Sequence, residues 1–127
     1  PGENNALGRV KFIFPNQHAI YLHDTPSRAL FSRSSRAFSS GCVRVKNPLQ
    51  FAEILLDDPD KWSLQQIRDL VASGRPKERV YLPRTVDVML MCWTTSPTSD
   101  GGVQFHPDIY SKDPAMLTAL NAPPPIY

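Results

Sequence analysis

Cys42 stands in Ser39-Ser40-Gly41-Cys42-Val43-Arg44, and His23 stands nineteen residues earlier in Tyr21-Leu22-His23-Asp24-Thr25-Pro26. A thiol is a strong nucleophile only as thiolate, and an imidazole can take its proton and return it later. Gly41 gives the backbone freedom to kink, so that Cys42 points outward and adjacent N–H groups face a developing oxyanion. The chemistry these residues suit is attack of sulfur on a carbonyl. His23 then needs a third group to fix its tautomer.

Other residues near the pair carry open readings. Arg44 is either a solvated arginine or, two residues past the thiol, a guanidinium that holds a carboxylate or braces the nucleophile turn. Ser39 and Ser40 are turn formers, or they line the oxyanion pocket, more through backbone than hydroxyl. Tyr21 is a wall of a substrate groove or part of the core. His18, beside Pro15-Asn16, reads as surface, and His106, beside Pro107, reads as structural. Three histidines without ligand spacing, and no CxxC pair, predict no metal. No Gly-rich phosphate loop exists. Cys92 reads as a small buried hydrophobe in an apolar strand, and Trp62 and Trp93 as core or domain-face residues.

At 127 residues and 14.3 kDa the chain is one domain's worth, with 41% hydrophobic and 20% charged residues. Those are globular values and exclude disorder as the organising state. A net charge of +2 from scattered basic residues does not predict nucleic-acid binding. No apolar run approaches the roughly 18 residues that cross a bilayer. Residues 1–5 do not read as a signal peptide.

The elements that position the pair are legible in outline. Residues 9–14 alternate and reach a turn at Pro15-Asn16, and residues 19–23 read as the antiparallel partner. Residues two apart share a strand face, so Tyr21 and His23 point the same way. Residues 24–41 have no period and predict a long structured loop, a length that in compact domains is usually functional. Arg28, Arg33 and Arg36 lie in it as solvated charges or as contacts to an anionic substrate. Asn47-Pro48 opens a helix with Leu49, Ala52, Leu55 and Leu56 on its apolar face, ended by Asp57-Asp58-Pro59. Ser63-Leu64-Gln65-Gln66 has capping-box form and opens a second helix, with Ile67, Leu70 and Val71 buried and Gly74 and Pro76 at its end. Strands are expected at 79–82, 85–95 and 103–106, with a loop at 96–102. The fold class predicted is α+β, mainly β, with two helices after the nucleophile loop.

The run Arg36-Ala37-Phe38-Ser39-Ser40-Gly41-Cys42-Val43-Arg44-Val45, with His23-Asp24-Thr25-Pro26, resembles the signature of the YkuD-type L,D-transpeptidases. These cysteine enzymes cross-link bacterial peptidoglycan. Leu7 to Phe12, Ile20 to Pro26 and Asp108-Ile109-Tyr110 are similar to the larger YcbB-like branch of Gram-negative bacteria. Many members carry histidine before the glycine; here it is Ser40, which leaves His23 as the base.

The resemblance implies a mixed β-sheet catalytic domain whose first strands precede residue 1. Residues 1–115 would be its C-terminal part and 116–127 a tail, proline-rich and loose from Asn121. It implies that Cys42 attacks the diaminopimelate carbonyl of a donor tetrapeptide stem, and that an acceptor amine takes the acyl group to give a 3→3 cross-link. His23 serves as base and acid, a backbone carbonyl near Asp24 orients it, and Gly41 and Ser40 frame the oxyanion. Arg44, Tyr21 and Ser39 would meet substrate. It further implies no cofactor, an unbridged Cys42, a periplasmic parent protein, and acylation by carbapenem β-lactams. Two rivals share the residues: a carboxypeptidase or cross-link hydrolase that uses water as acceptor, and a non-catalytic wall-binding domain.

Overall fold

The alternating run near the start forms β1 (Lys11–Phe12), paired antiparallel with β2 (Leu22–His23), so that Lys11 faces His23 and Phe12 faces Leu22. This computed structural model describes residues 5–38, 41–75 and 78–123. Asn16 organises the turn between the two strands. Its Oδ1 accepts from the His18 and Ile20 N–H groups, both at 3.0 Å, and its Nδ2 donates to the Ile20 carbonyl at 2.7 Å. Side-chain bonding of this kind is why asparagine favours such turns. His18 is exposed there.

β2 also pairs with β3 (Val43–Arg44), this time parallel, with Leu22 opposite Val43 and His23 opposite Arg44. Parallel neighbours cannot be joined by a hairpin and need a crossover of a dozen or more residues. That requirement explains the long unpatterned stretch after Asp24. Its regular element among the described residues is a 3-10 helix at Arg28–Ser32. The strand order β1-β2-β3 puts His23 on the central strand.

Three helices follow. α1 (Pro48–Leu56) begins with Pro48 in its first turn and ends at Asp57, which takes left-handed backbone at φ 47°. α2 (Pro59–Trp62) is a single turn capped by Asp58, whose carboxylate accepts from the Lys61 N–H. α3 (Leu64–Ala72) starts from a complete capping box between Ser63 and Gln66. Leu56 and Ile67 are the buried apolar residues where α1 and α3 meet, at 7% and 5% exposure. Glu53 binds the two helices by accepting from the Leu64 N–H at 2.8 Å. Phe12 meets Phe51 edge-on with ring centroids 5.0 Å apart, so α1 covers the Phe12 face of the sheet. A cleft of about 680 Å³, lined by Phe12, Leu55, Trp62, Ile67 and Leu70 among others, lies in this region.

These elements belong to one unit, Pro1–Val88; the other, Met89–Tyr127, is a hairpin and a helix. β4 (Thr95–Pro97) pairs antiparallel with β5 (Val103–Phe105), and α4 (Asp113–Asn121) follows. Gly101, at φ 84°, closes the hairpin turn. The fold is α+β.

Several expectations are corrected. The two helices expected after the nucleophile loop are present as α1 and α3, and α2 and α4 are additional ones among the described residues, because Asp58 and Asp108 supply starts that the apolar period does not show. The tail expected from residue 116 is helical as far as Asn121, since Asp108 accepts from the Lys112 and Asp113 N–H groups at 3.0 and 2.8 Å. Residues 78–94 contain no strand, because their backbone groups pair with no neighbouring strand among the described residues, and Val80, Tyr81, Leu82 and Met89 stay exposed. Cys92 is exposed, and Trp93 keeps 61% of its surface. Pro76 lies outside the described residues, and Gly74 at φ 68° marks the end of α3.

Candidate active site

Strand register decides which side chains meet. Paired residues on neighbouring strands share a sheet face, and residues two apart on one strand share it too. The pairs Lys11–His23 and His23–Arg44 therefore put Lys11, His23 and Arg44 on one face. The Val43 N–H donates to the Tyr21 carbonyl at 3.2 Å, and the Val45 N–H to the His23 carbonyl at 2.8 Å. This extends the parallel register backwards, so Tyr21 and Cys42 lie side by side on that same face. Phe12, Leu22 and Val43 occupy the opposite one.

Tyr21 is the hub of this face. Its ring meets that of His23 edge-on at 6.0 Å, and the Lys11 ammonium sits over it, 3.5 Å from the centroid. Cys42 is its neighbour across the β2–β3 pairing, and hydrogen bonding with the thiol first, then desolvation and charge at the sulfur, raises the phenol above its ordinary value of 10.0. Tyr21 is thus neither a plain core residue nor remote from the thiol. Cys42 is half-buried and is in no disulfide.

His23 is 5% exposed, and its Nδ1 is hydrogen-bonded to the carbonyl of Asp24. A carbonyl only accepts, so Nδ1 carries the hydrogen and Nε2 is left as the basic nitrogen. The chain bends sharply enough after β2 for the next residue's carbonyl to turn back on the ring. Asp24 and Thr25 are buried with it. This arrangement gives a thiol, a hydroxyl donor and an imidazole of defined tautomer on one sheet face. Nucleophilic attack with proton shuttling needs those parts.

Other sequence-predicted residues fall differently. Gly41 has ordinary backbone, and a Cβ added there would meet nothing within 4 Å, so neither a left-handed turn nor crowding accounts for the glycine. Ser39 and Ser40 lie outside the described residues. Arg44 is half-buried on the face that carries His23. His106 is bonded through Nε2 to the Ser96 hydroxyl at 2.8 Å within the β4–β5 hairpin. Arg33 and Arg36 are exposed. Among the described residues no group of three or more His, Cys, Asp and Glu side chains could hold a metal, and no helix is long and apolar enough to cross a membrane.

Sequence reading missed two residues of this neighbourhood, Gly8 and Lys11. Gly8 has φ 60° and packs against the Asp24 side chain. Lys11 was legible only through its pairing with His23.

The YkuD family profile, described as an L,D-transpeptidase catalytic domain, matches residues 1–84. A Haemophilus influenzae protein named "Putative L,D-transpeptidase" is 40% identical over 111 residues, which is 87% of this chain. The chain spans 22% of the length of that relative.

Proposed function

Because the chain belongs to the YkuD family of L,D-transpeptidase catalytic domains, we propose that Cys42 is the nucleophile of a peptidoglycan L,D-transpeptidase of the YcbB-like branch. The observation that carries this reading is the strand register that puts Cys42, Tyr21 and His23 on one sheet face, with His23 Nδ1 bonded to the Asp24 carbonyl.

The donor is a tetrapeptide stem. His23 Nε2 takes the thiol proton, and sulfur attacks the carbonyl of diaminopimelate at the third position. The carbon–sulfur bond forms, the bond to the terminal D-alanine breaks, and His23 hands its proton to the leaving amine. N–H groups at Gly41 and Cys42 face the tetrahedral oxyanion. The side-chain amine of a second stem then attacks the thioester, His23 takes the amine's proton, and the thiolate leaves with a 3→3 cross-link formed. Arg44, on the same face, suits a stem carboxylate. No cofactor enters any step. Such a substrate places the work in the cell envelope.

The test is mass spectrometry of muropeptides incubated with the full-length protein. Cross-linked dimers support transfer to an amine, shortened stems mean that water is the acceptor, and unchanged muropeptides mean a non-catalytic domain. A carbapenem carries a strained acyl group and a carboxylate, so it should acylate Cys42 and add its mass to the peptide holding it. Adducts persisting in Cys42→Ala would count against the site.

A further inference from the structure

Asp24 uses all its polar atoms, and only one of them touches His23. Its N–H donates to the Val10 carbonyl at 2.8 Å, and its own carbonyl accepts from His23 Nδ1. Its carboxylate is buried, with 8% of the side chain exposed. One carboxylate oxygen accepts from the Arg9 N–H at 2.9 Å, and the other is paired with the Arg28 guanidinium at 2.5 Å. The second terminal nitrogen of Arg28 donates to the carbonyl of Lys46, just beyond β3. Gly8 closes the far side: a Cβ there would stand 2.4 Å from the Asp24 carboxyl carbon.

The result joins four segments: the approach to β1, the end of β2, the start of the crossover and the exit of β3. A buried carboxylate is stable only when charge-paired and fully bonded, and here one bond comes from Arg9 on the approach to β1 and the other from Arg28, one turn further along the chain. The same bonds fix the peptide plane that follows Asp24, and that plane aims the carbonyl at His23. We propose that the Asp24 carboxylate and Arg28 form a clamp that holds His23 in the tautomer with basic Nε2. Both are then positioning residues for Cys42, acting without touching the imidazole through their charged groups. The inference rests on the Cys42–His23 reading above.

The test measures turnover and the rate of Cys42 acylation in the full-length protein, using a carbapenem as the acyl donor and mass spectrometry as the readout. Asp24→Asn cannot accept from both Arg9 and Arg28, because its amide presents a donor to one of them. It should lower kcat by about 10²-fold, the scale of a small misplacement of a catalytic group, with KM little changed. Arg28→Met leaves a half-exposed site that tolerates the change and should give a smaller loss of the same kind, partly restored in Arg28→Lys. In a His23→Ala background, Asp24→Asn should add no further loss, since there is no imidazole left to position. A folded Asp24→Asn and a folded Arg28→Met that both acylate at the wild-type rate would overturn the clamp. So would a further drop when Asp24→Asn is added to His23→Ala. Wild-type acylation in His23→Ala alone would overturn the underlying reading together with the clamp.

Discussion

At the scale of single residues, Tyr21 links the thiol to its surroundings. Ionising its phenol would remove the hydrogen bond to Cys42 and set a negative oxygen beside the sulfur, which is why its titration is raised above 10.0. The neutral, donating form is therefore held at neutral pH, and any contribution to stability persists below about pH 10 and is lost as pH rises through the raised value. Cys42→Ala should bring the Tyr21 ionisation down toward the ordinary value in an ultraviolet phenolate titration, with Tyr21→Phe identifying the transition. A transition unmoved by Cys42→Ala would disprove the contact. The same substitution should abolish turnover, whereas Cys92→Ala should keep it and change stability by no more than about 0.5 kcal/mol, because Cys92 is exposed. A stability loss of several kcal/mol in Cys92→Ala, read by thermal melting, would show that the thiol is covered. The two cysteines illustrate what a sequence discloses. Local spacing marked Cys42 and the shared face of Tyr21 and His23, since side-chain direction along a strand is a local property. The burial of Cys92 depends on what packs against residues 78–94, and no local pattern contains that.

At the scale of elements, capping chemistry was legible and strand length was not. Ser63 and Gln66 could be read as a reciprocal cap because both partners lie within one turn. Ser63→Ala should lower stability by about 1 kcal/mol, seen as a fall in Tm, and an unchanged Tm would mean that α3 is held by packing alone. α4 was missed because the carboxylate that starts it, Asp108, stands several residues upstream across the turn at Ile109-Tyr110. Bonds from the Asp113 N–H first, and then from the Lys112 N–H, lower the Asp108 carboxyl below its ordinary 3.8. A lowered value means that the stabilising contribution is present above about pH 3.8 and lost as pH falls through the folded value. Amide exchange in α4 should therefore accelerate on acidification in the wild type. Asp108→Ala should show the fast rate already at neutral pH; equal protection in both would remove Asp108 as the cap. The Asp108-Ile109-Tyr110 run, read from sequence as part of a family likeness, has this local structural role as well.

Across the whole molecule, buried side chains are distributed unevenly. Pro1–Val88 contains the buried residues Gly8, His23, Asp24, Thr25, Pro48, Leu56 and Ile67, whereas none of the described residues of Met89–Tyr127 is buried. In the second unit Val103, Phe105 and Leu117 keep 61%, 79% and 62% of their surface. Its cohesion comes from the β4–β5 ladder, the Thr98–Gly102 turn and the bond from Thr94 to Asp113 at 2.9 Å. Burial of apolar surface contributes roughly 25 cal/mol per Å², and polar bonds exposed to water contribute far less net stability. A hairpin and a nine-residue helix without buried apolar residues are marginal by themselves. Local opening should therefore begin in this unit, and its free energy should lie well below that of α1 and α3. For the 127-residue chain, hydrogen exchange followed by mass spectrometry should label residues 89–121 fully before the peptides of α1 and α3. Limited proteolysis should make its first cut in the exposed, strand-free stretch 78–94. Protection of β4, β5 and α4 equal to that of α3, or a first cut inside Pro48–Ala72, would show that stability does not follow the burial seen here.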